Sequence, residues 1–220
     1  MMNRTRLIAF ALMVPEFACL AQTASKVSDK TVIWSPPKIN WPDDMPRATV
    51  PKEMIVSLRV ADMPIILEDT KLEDAHMRFG GKIGSRGDAG DAEGWLCLHG
   101  TDTDGPWIFW LTSGEVDGPA IDGFQWRRLS PNEVPDHRCR LIPQGKEGIK
   151  LPIAIRLGIT EQEVKQLLGQ PSYTRDKTLI FSHEHHKLIN KEPYTVSNDV
   201  AVVLRDGMVW AMEVASSTSD

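Results

Sequence analysis

The chain has 220 residues, with 25 lysine and arginine residues against 30 aspartate and glutamate residues and a formal net charge of −5. This length suffices for one large or two small domains, each able to bury a core. A mildly acidic chain disfavours nucleic acid and anionic membranes as partners, because both are bound through excess positive charge.

Residues 1–21 have the order of parts of a secretory signal peptide. Two arginines near the start precede an unbroken apolar run at residues 7–14, and small residues follow at 19–21. The apolar run is too short to span a bilayer, which takes about 20 residues. We therefore predict a periplasmic or secreted protein with no membrane span. The alternative, a lipoprotein anchored through Cys19, is disfavoured because Glu16 stands where that site needs a Leu-like residue.

Removal of the signal peptide leaves two cysteines, Cys97 and Cys139. An even number of cysteines in an exported chain favours a disulfide, since such bonds persist in oxidising compartments. We predict that the two residues pair, which would stabilise the fold by about 3 to 4 kcal/mol through loop closure. The alternative is two buried free thiols.

Residues 22–51 are polar and rich in proline, with Pro36 and Pro37 adjacent. Proline fixes φ and removes a backbone donor, so this segment disfavours both helix and central strand. We predict an extended arm that Trp34 and Trp41 pin to the body of the protein. One strand is expected after it, over residues 52–60.

An internal repeat suggests two similar halves. Thr70 with Glu73, and Thr160 with Glu163, each form a Thr-x-x-Glu motif, the pattern of a capping box at a helix start. Each predicted helix runs for about ten residues and ends before a glycine suited to a C-cap, at Gly80 and Gly169.

Strand signals follow each predicted helix. In the first half they cover 95–99, 107–111 and 124–129, and in the second half 178–185, 200–204 and 208–214. Asp206-Gly207 joins the last two as a tight hairpin turn, which needs positive φ at both residues.

This order predicts an α+β fold with two tandem units, each a short helical segment packed on its own small antiparallel sheet. The predicted boundaries are 52–142 for the first unit and 143–216 for the second.

Residues 157–212 resemble the β-lactamase inhibitor protein (BLIP) and SmpA/OmlA (BamE) lipoprotein superfamily. The residues that carry the resemblance are Leu157-Gly158-Ile159-Thr160, Glu163-Val164, Leu167-Leu168-Gly169-Gln170-Pro171 and Val202-Val203-Leu204-Arg205-Asp206-Gly207-Met208-Val209. The resemblance implies a helix on a small antiparallel sheet, in tandem in the inhibitor-type members. It further implies a binding protein of the bacterial envelope without enzymatic activity, and it names no partner.

Two clusters of side chains are candidate metal sites. His183 and His185 share one strand face, where two imidazoles can bind a metal such as zinc, but no third ligand is evident and a solvated strand end explains them better. Aspartates cluster at 88–91 and at 102–105. The second stretch faintly resembles a calcium loop, yet the third acidic position and the closing glutamate of that motif are missing, and turn formation accounts for both stretches. We predict no cofactor.

Motifs for catalysis are missing from the sequence. Ser113 lacks the glycine two residues earlier that a nucleophile elbow requires, and the glycines of 80–84 do not lead from a strand into a helix as a phosphate loop does. We predict that the protein is not an enzyme.

Aromatic residues on the first-half strands are the candidate partner-binding site: Trp95, Trp107, Phe109, Trp110 and Trp126. Strand alternation places Trp107 and Phe109 on one face and Trp110 on the other, so one aromatic set can be exposed. Exposed aromatics on a sheet are typical of interface hot spots. The alternative is that all of them pack in the core.

These features predict an exported, non-catalytic binding protein of the bacterial envelope, with an inhibitor or immunity-type factor as one form of it. Its partner is expected to be another protein of the envelope or the extracellular space. One alternative is an accessory protein of outer-membrane or envelope assembly. The other is a metal-binding protein or metal-dependent enzyme that uses His183 and His185.

Overall fold

The computed structural model describes residues 30–38, 41, 54–88, 92–114, 118–142, 148–189 and 191–219. The signal peptide predicted at 1–21 lies outside the described residues. So does most of the predicted arm, of which 30–38 and Trp41 are described.

Strands dominate the described residues, and two short helices accompany them. The helices are α1 (Leu72–Phe79) and α2 (Glu161–Leu168). The strands are β1 (Thr31–Ile33), β2 (Ser57–Val60), β3 (Met63–Ile66), β4 (Ile83–Arg86), β5 (Glu93–Asp102), β6 (Gly105–Gly114), β7 (Gly123–Arg128), β8 (Glu133–Pro135), β9 (Arg140–Leu141), β10 (Ile149–Lys150), β11 (Tyr173–Arg175), β12 (Thr178–Ile189), β13 (Glu192–Arg205) and β14 (Met208–Ser219).

Nine of these strands form one continuous sheet. Its order is β11-β12-β13-β14-β7-β6-β5-β4, with every neighbouring pair antiparallel, and β9 pairs in parallel with β5. Two smaller sheets flank it, one of β1 with β8 and one of β10, β2 and β3.

The prediction of two tandem units, each a helix on its own sheet, is wrong. β14 of the second half pairs with β7 of the first, so that Met212 lies opposite Trp126 and Val214 opposite Phe124. This pairing satisfies the backbone groups of two strands that would otherwise be open edges. The fold is mostly β, built on one large sheet to which both halves contribute four antiparallel strands.

The helix starts differ between the two Thr-x-x-Glu motifs. At α2 the capping box is confirmed: the Thr160 hydroxyl accepts a hydrogen bond from the Glu163 amide, and the Glu163 carboxylate accepts one from the Thr160 amide. At α1 the prediction is wrong, because the helix starts one residue later with Lys71 at its N-cap. Thr70 belongs to the preceding turn, where its hydroxyl accepts from the Ile66 amide at 2.9 Å.

Both helices end where the sequence predicts. Gly80 and Gly169 are the C-cap residues, with φ of 73° and 90°. The hairpin turn between β13 and β14 is also confirmed, since Asp206 and Gly207 have φ of 54° and 76°.

Both faces of the large sheet bury apolar side chains. One face carries α1, α2 and the larger core, to which Leu72, Val164, Phe109 and Phe181 belong. A smaller cluster of Trp95, Cys97, Ile108, Trp110 and Cys139 lies on the opposite side, with Trp34 packed against it. We call this opposite side the non-helical face.

Candidate interaction face

The structure buries all five aromatic residues of the predicted partner-binding site. The exposed fractions are 3% for Trp95, 4% for Trp107, 0% for Phe109, 0% for Trp110 and 5% for Trp126. The interpretation of an exposed aromatic set on these strands is therefore corrected to core packing. The physical reason is that both faces of β5, β6 and β7 are covered.

Three of these rings pack on the helical side. Trp107 meets Trp126 edge to face with ring centroids 6.4 Å apart, and Phe109 stacks on Phe124 at 5.5 Å. Trp95 and Trp110 point to the non-helical face and lie beneath the arm.

A disulfide attaches to the large sheet the segment that pairs with strand β1 of the arm. Cys97 of β5 is bonded to Cys139, with an S–S distance of 1.96 Å and a sequence separation of 42 residues. β8 lies just before Cys139 and pairs in parallel with β1 of the arm. The Asp136 amide donates to the Ile33 carbonyl at 2.8 Å, which continues this attachment.

Ion pairing stiffens the same segment. Arg138 donates through Nε to Asp136 at 2.7 Å, and this contact holds the pKa of Asp136 well below its usual range. The Arg138 guanidinium also lies 4.2 Å from the Trp34 ring centroid. On its other side Trp34 meets Trp95 edge to face at 5.9 Å.

Side chains of the sheet then hold the arm by its carbonyl groups. Trp110 Nε1 donates to the Trp34 carbonyl at 2.9 Å. Arg86 donates to the Pro36 carbonyl at 2.7 Å, and Gln125 Nε2 donates to the Pro37 carbonyl at 2.9 Å. The arm therefore lies across strands β4, β6 and β7 without joining the sheet as a strand.

The arm reaches β14 at Glu213. Burial raises the pKa of Glu213 to about 8, while a hydrogen bond from the Trp41 indole opposes this rise. Glu213 Oε2 is buried and has no hydrogen-bond partner among the described residues. The sequence prediction that Trp34 and Trp41 attach the arm to the body agrees with these contacts.

Trp210, which the sequence analysis did not select, lies on β14 at a β-bulge. The register between β13 and β14 shifts at Val203/Leu204, next to this residue. The Arg205 guanidinium lies 4.2 Å from the Trp210 ring centroid and that of Arg127 lies 5.3 Å from it. Trp210 is half-buried, in contrast to the five buried aromatics above. A tryptophan three residues after a predicted Asp-Gly turn is the signal that identifies it.

A pocket of about 430 Å³ opens beside Trp210 where three loops meet. It is lined by Asp104, Arg128, Arg156, Gly158, Arg205, Asp206, Met208, Val209 and Trp210. Arg128 is paired with Asp102 at 2.5 Å, and Arg156 contacts Asp104 at 3.5 Å. The aspartates predicted to form a turn at 102–105 thus lie in the β5–β6 turn and carry ion pairs. Of the 88–91 stretch, residues 89–91 lie outside the described residues.

His183 and His185 lie on the helical side of β12, opposite Asn198 and Val196 of β13. His183 is 2% exposed, so it is not the solvated strand end that the sequence suggested. Burial lowers the pKa of His183, which favours the neutral imidazole. Among the described residues, no group of three His, Cys, Asp or Glu side chains is arranged to bind a metal ion.

Comparison of the chain with known protein families, with curated proteins and with solved structures finds no match. Across the described ranges, neither helix has the length and apolar character needed to cross a bilayer.

Proposed function

We propose that the chain is an exported, non-catalytic binding protein of the bacterial envelope, whose protein partner docks around Trp210. The signal-like residues 1–21 and the resemblance at residues 157–212 support this proposal. The disulfide between Cys97 and Cys139 is compatible with an oxidising compartment, where such bonds persist.

The observation that carries the proposal is a half-buried tryptophan that two arginine guanidinium groups contact and that lines a pocket. Tryptophan and arginine are enriched among residues that dominate binding energy at protein interfaces. Stacking by Arg127 and Arg205 fixes the indole before a partner arrives, so less conformational entropy is lost on binding.

The charged residues around the pocket match the polar rim that surrounds the centre of a protein interface. Arg128 and Arg156 are paired with Asp102 and Asp104, while the contact found for Arg205 among the described residues is its stacking on Trp210. Arg205 therefore keeps guanidinium donors for a partner. A central aromatic residue with ion pairs around it is the usual anatomy of a specific interface.

The test is capture of the partner from an envelope extract with the purified chain as bait. We expect Trp210→Ala to reduce recovery of the partner at least about tenfold, a typical hot-spot effect. Tyr173→Ala is the matched control, because Tyr173 is an exposed aromatic on the distant edge strand β11. Equal recovery by the two variants would refute the proposed site.

The identity of the captured protein separates the two binding roles. Recovery of one soluble hydrolase, together with loss of its activity on binding, supports an inhibitor. Recovery of outer-membrane assembly components supports the accessory role.

A further inference from the structure

Residues 34–37 lie on the non-helical face in the manner of a bound peptide. Three side chains from three different strands, Arg86, Trp110 and Gln125, donate to three main-chain carbonyls at 2.7 to 2.9 Å. No backbone pairing with the sheet is involved, because these residues are not part of a strand. The sheet therefore recognises this segment as an extended peptide, through side chains alone.

The donors match the chemistry of a proline segment. Pro36 and Pro37 have no N–H group, and each proline pushes the preceding residue towards extended conformations. The backbone of these two residues presents only carbonyl oxygens, so a surface that binds it must supply donors. A guanidinium, an indole and an amide supply them here, as in other surfaces that recognise proline-rich peptides.

Alternate residues of the segment are anchored. Trp34 is half-buried between Trp95 and Arg138, and Pro36 is buried, whereas Ser35 and Pro37 are exposed. An aromatic ring and a proline two residues apart therefore fill the surface. We call the surface that contacts this segment, formed by Arg86, Trp95, Trp110, Gln125 and Arg138, the arm groove.

One polar atom of the arm groove is left unsatisfied by its present occupant. Gln125 is 6% exposed, and its Oε1 is buried with no hydrogen-bond partner among the described residues. Gln125 Nε2 already donates to the carbonyl of Pro37, and Pro37 has no N–H with which to satisfy the amide oxygen. Any residue other than proline at that position would carry the N–H group that Pro37 lacks.

We propose that the arm groove is a binding site for extended peptides of the form aromatic-x-Pro-x, occupied in cis by the chain's own residues 34–37. A partner segment with an N–H in place of Pro37 completes the hydrogen bonds of Gln125 and displaces the arm. The proposal deepens the proposed function by naming a segment that the partner presents, and its test does not require the partner.

The chain's own arm competes with any added peptide for the arm groove, and the test must allow for this competition. The segment belongs to the same chain as the groove, so its effective concentration there is high. A peptide added in trans binds weakly unless the arm is loosened. Trp34→Ala loosens it, because the substitution removes the ring that contacts Trp95 and Arg138 while the groove itself stays intact.

The experiment measures fluorescence anisotropy of labelled peptides with the sequence of residues 30–41. We expect the Trp34→Ala chain to bind this peptide about tenfold more tightly than the wild-type chain does, because the competitor is weakened. A second peptide with Pro37→Ala is expected to bind roughly threefold to tenfold more tightly than the first, through one added hydrogen bond.

Gln125→Leu in the Trp34→Ala chain is the decisive variant. This substitution removes the side-chain amide. The residue 30–41 peptide and its Pro37→Ala form should then bind with equal affinity, and each should bind more weakly than it binds the Trp34→Ala chain that keeps Gln125. A peptide with Trp34→Ala and Pro36→Ala is the negative control. Equal binding of all three peptides to the folded Trp34→Ala chain would overturn the proposal.

Folding of the variants is checked by thermal unfolding. If Trp34→Ala does not fold, Arg138→Gln serves instead, since it keeps the Trp34 ring and loosens the arm by removing the stacking on its outer side and the ion pair to Asp136. The peptide result is independent of Trp210 and of any captured protein. Failure of the arm groove and failure of the proposed function are therefore distinguishable.

Discussion

Glu213 shows at the residue scale how the arm changes the chemistry of the sheet. It lies on β14 opposite Gln125, with the Trp41 indole as its hydrogen-bond donor. Burial raises the pKa of Glu213 to about 8 from an ordinary value of 4.5. The charged groups Glu93, Arg86 and Asp122 act on it through space, with the two acids raising the pKa and the arginine lowering it.

This raised pKa predicts a loss of stability with rising pH. The folded chain retains a proton on Glu213 that the unfolded chain releases, so the stabilising contribution is complete below pH 4.5 and is lost as the pH rises through about 8. Between those pH values we expect the free energy of unfolding to fall by roughly 1 to 3 kcal/mol more in the wild-type chain than in the Glu213→Gln variant.

Urea unfolding at a series of pH values measures this difference. Glu192→Gln is the control, because Glu192 is exposed at the start of β13 and its substitution leaves the buried site unchanged. A pH profile of Glu213→Gln that matches wild type would contradict the assignment.

At the scale of elements, the two Thr-x-x-Glu motifs show that one pattern can have two structural outcomes. Thr160 and Glu163 form both reciprocal hydrogen bonds of a capping box, with donor–acceptor distances of 3.3 and 2.8 Å. Thr70 instead closes the turn after β3, one residue too early to cap α1. The backbone path that leads into the helix, rather than the motif, decides the role.

A pair of double-mutant cycles tests this distinction. We expect Thr160→Ala and Glu163→Ala to be coupled by about 0.5 to 1 kcal/mol, because each substitution leaves the other residue without its partner. Thr70→Ala and Glu73→Ala should be additive. Free energies of unfolding in urea give both couplings, and equal couplings in the two motifs would count against the observed caps.

At the scale of the whole molecule, the contact between β7 and β14 joins the two halves. Five pairs, from Ala211 with Arg127 to Ala215 with Gly123, form this seam. The larger core spans it, since Phe109 and Phe124 of the first half belong to the same cluster as Phe181 and Val200 of the second. Opening the seam would expose two strand edges and divide this core.

The continuous sheet predicts one cooperative unfolding transition for both halves. Tryptophan emission reports mainly on the first half, through Trp95, Trp107, Trp110 and Trp126. Hydrogen exchange of the β12 and β13 amides reports on the second. The two midpoints should coincide in urea, whereas two separate sheets would give two midpoints. Asp206→Asn, in the exposed turn, is a control that should not separate them.

The sequence by itself determined much of the local structure of the described chain, although the Thr70 motif does not cap α1. The strand segments predicted between residues 95 and 129 and between 178 and 214 lie within or largely overlap observed strands, and the Asp206-Gly207 turn and both glycine helix ends are present. Of the strand predicted at 52–60, only Ser57–Val60 forms one among the described residues. These features depend on residues a few positions apart, where side-chain alternation and backbone preference decide the outcome. The even cysteine pair likewise predicted the bond between Cys97 and Cys139.

Only the tertiary structure decided which strands are neighbours and which side chains remain accessible. The pairing of β7 with β14 links residues 123–128 to 208–219, and no local pattern specifies such a partner. The same holds for burial: Trp95 and Trp110 are covered because the arm crosses their face, whereas Trp210 is only half-buried at a bulge. Alternation along a strand assigns a side chain to a face, but what covers that face is set by segments distant in the chain.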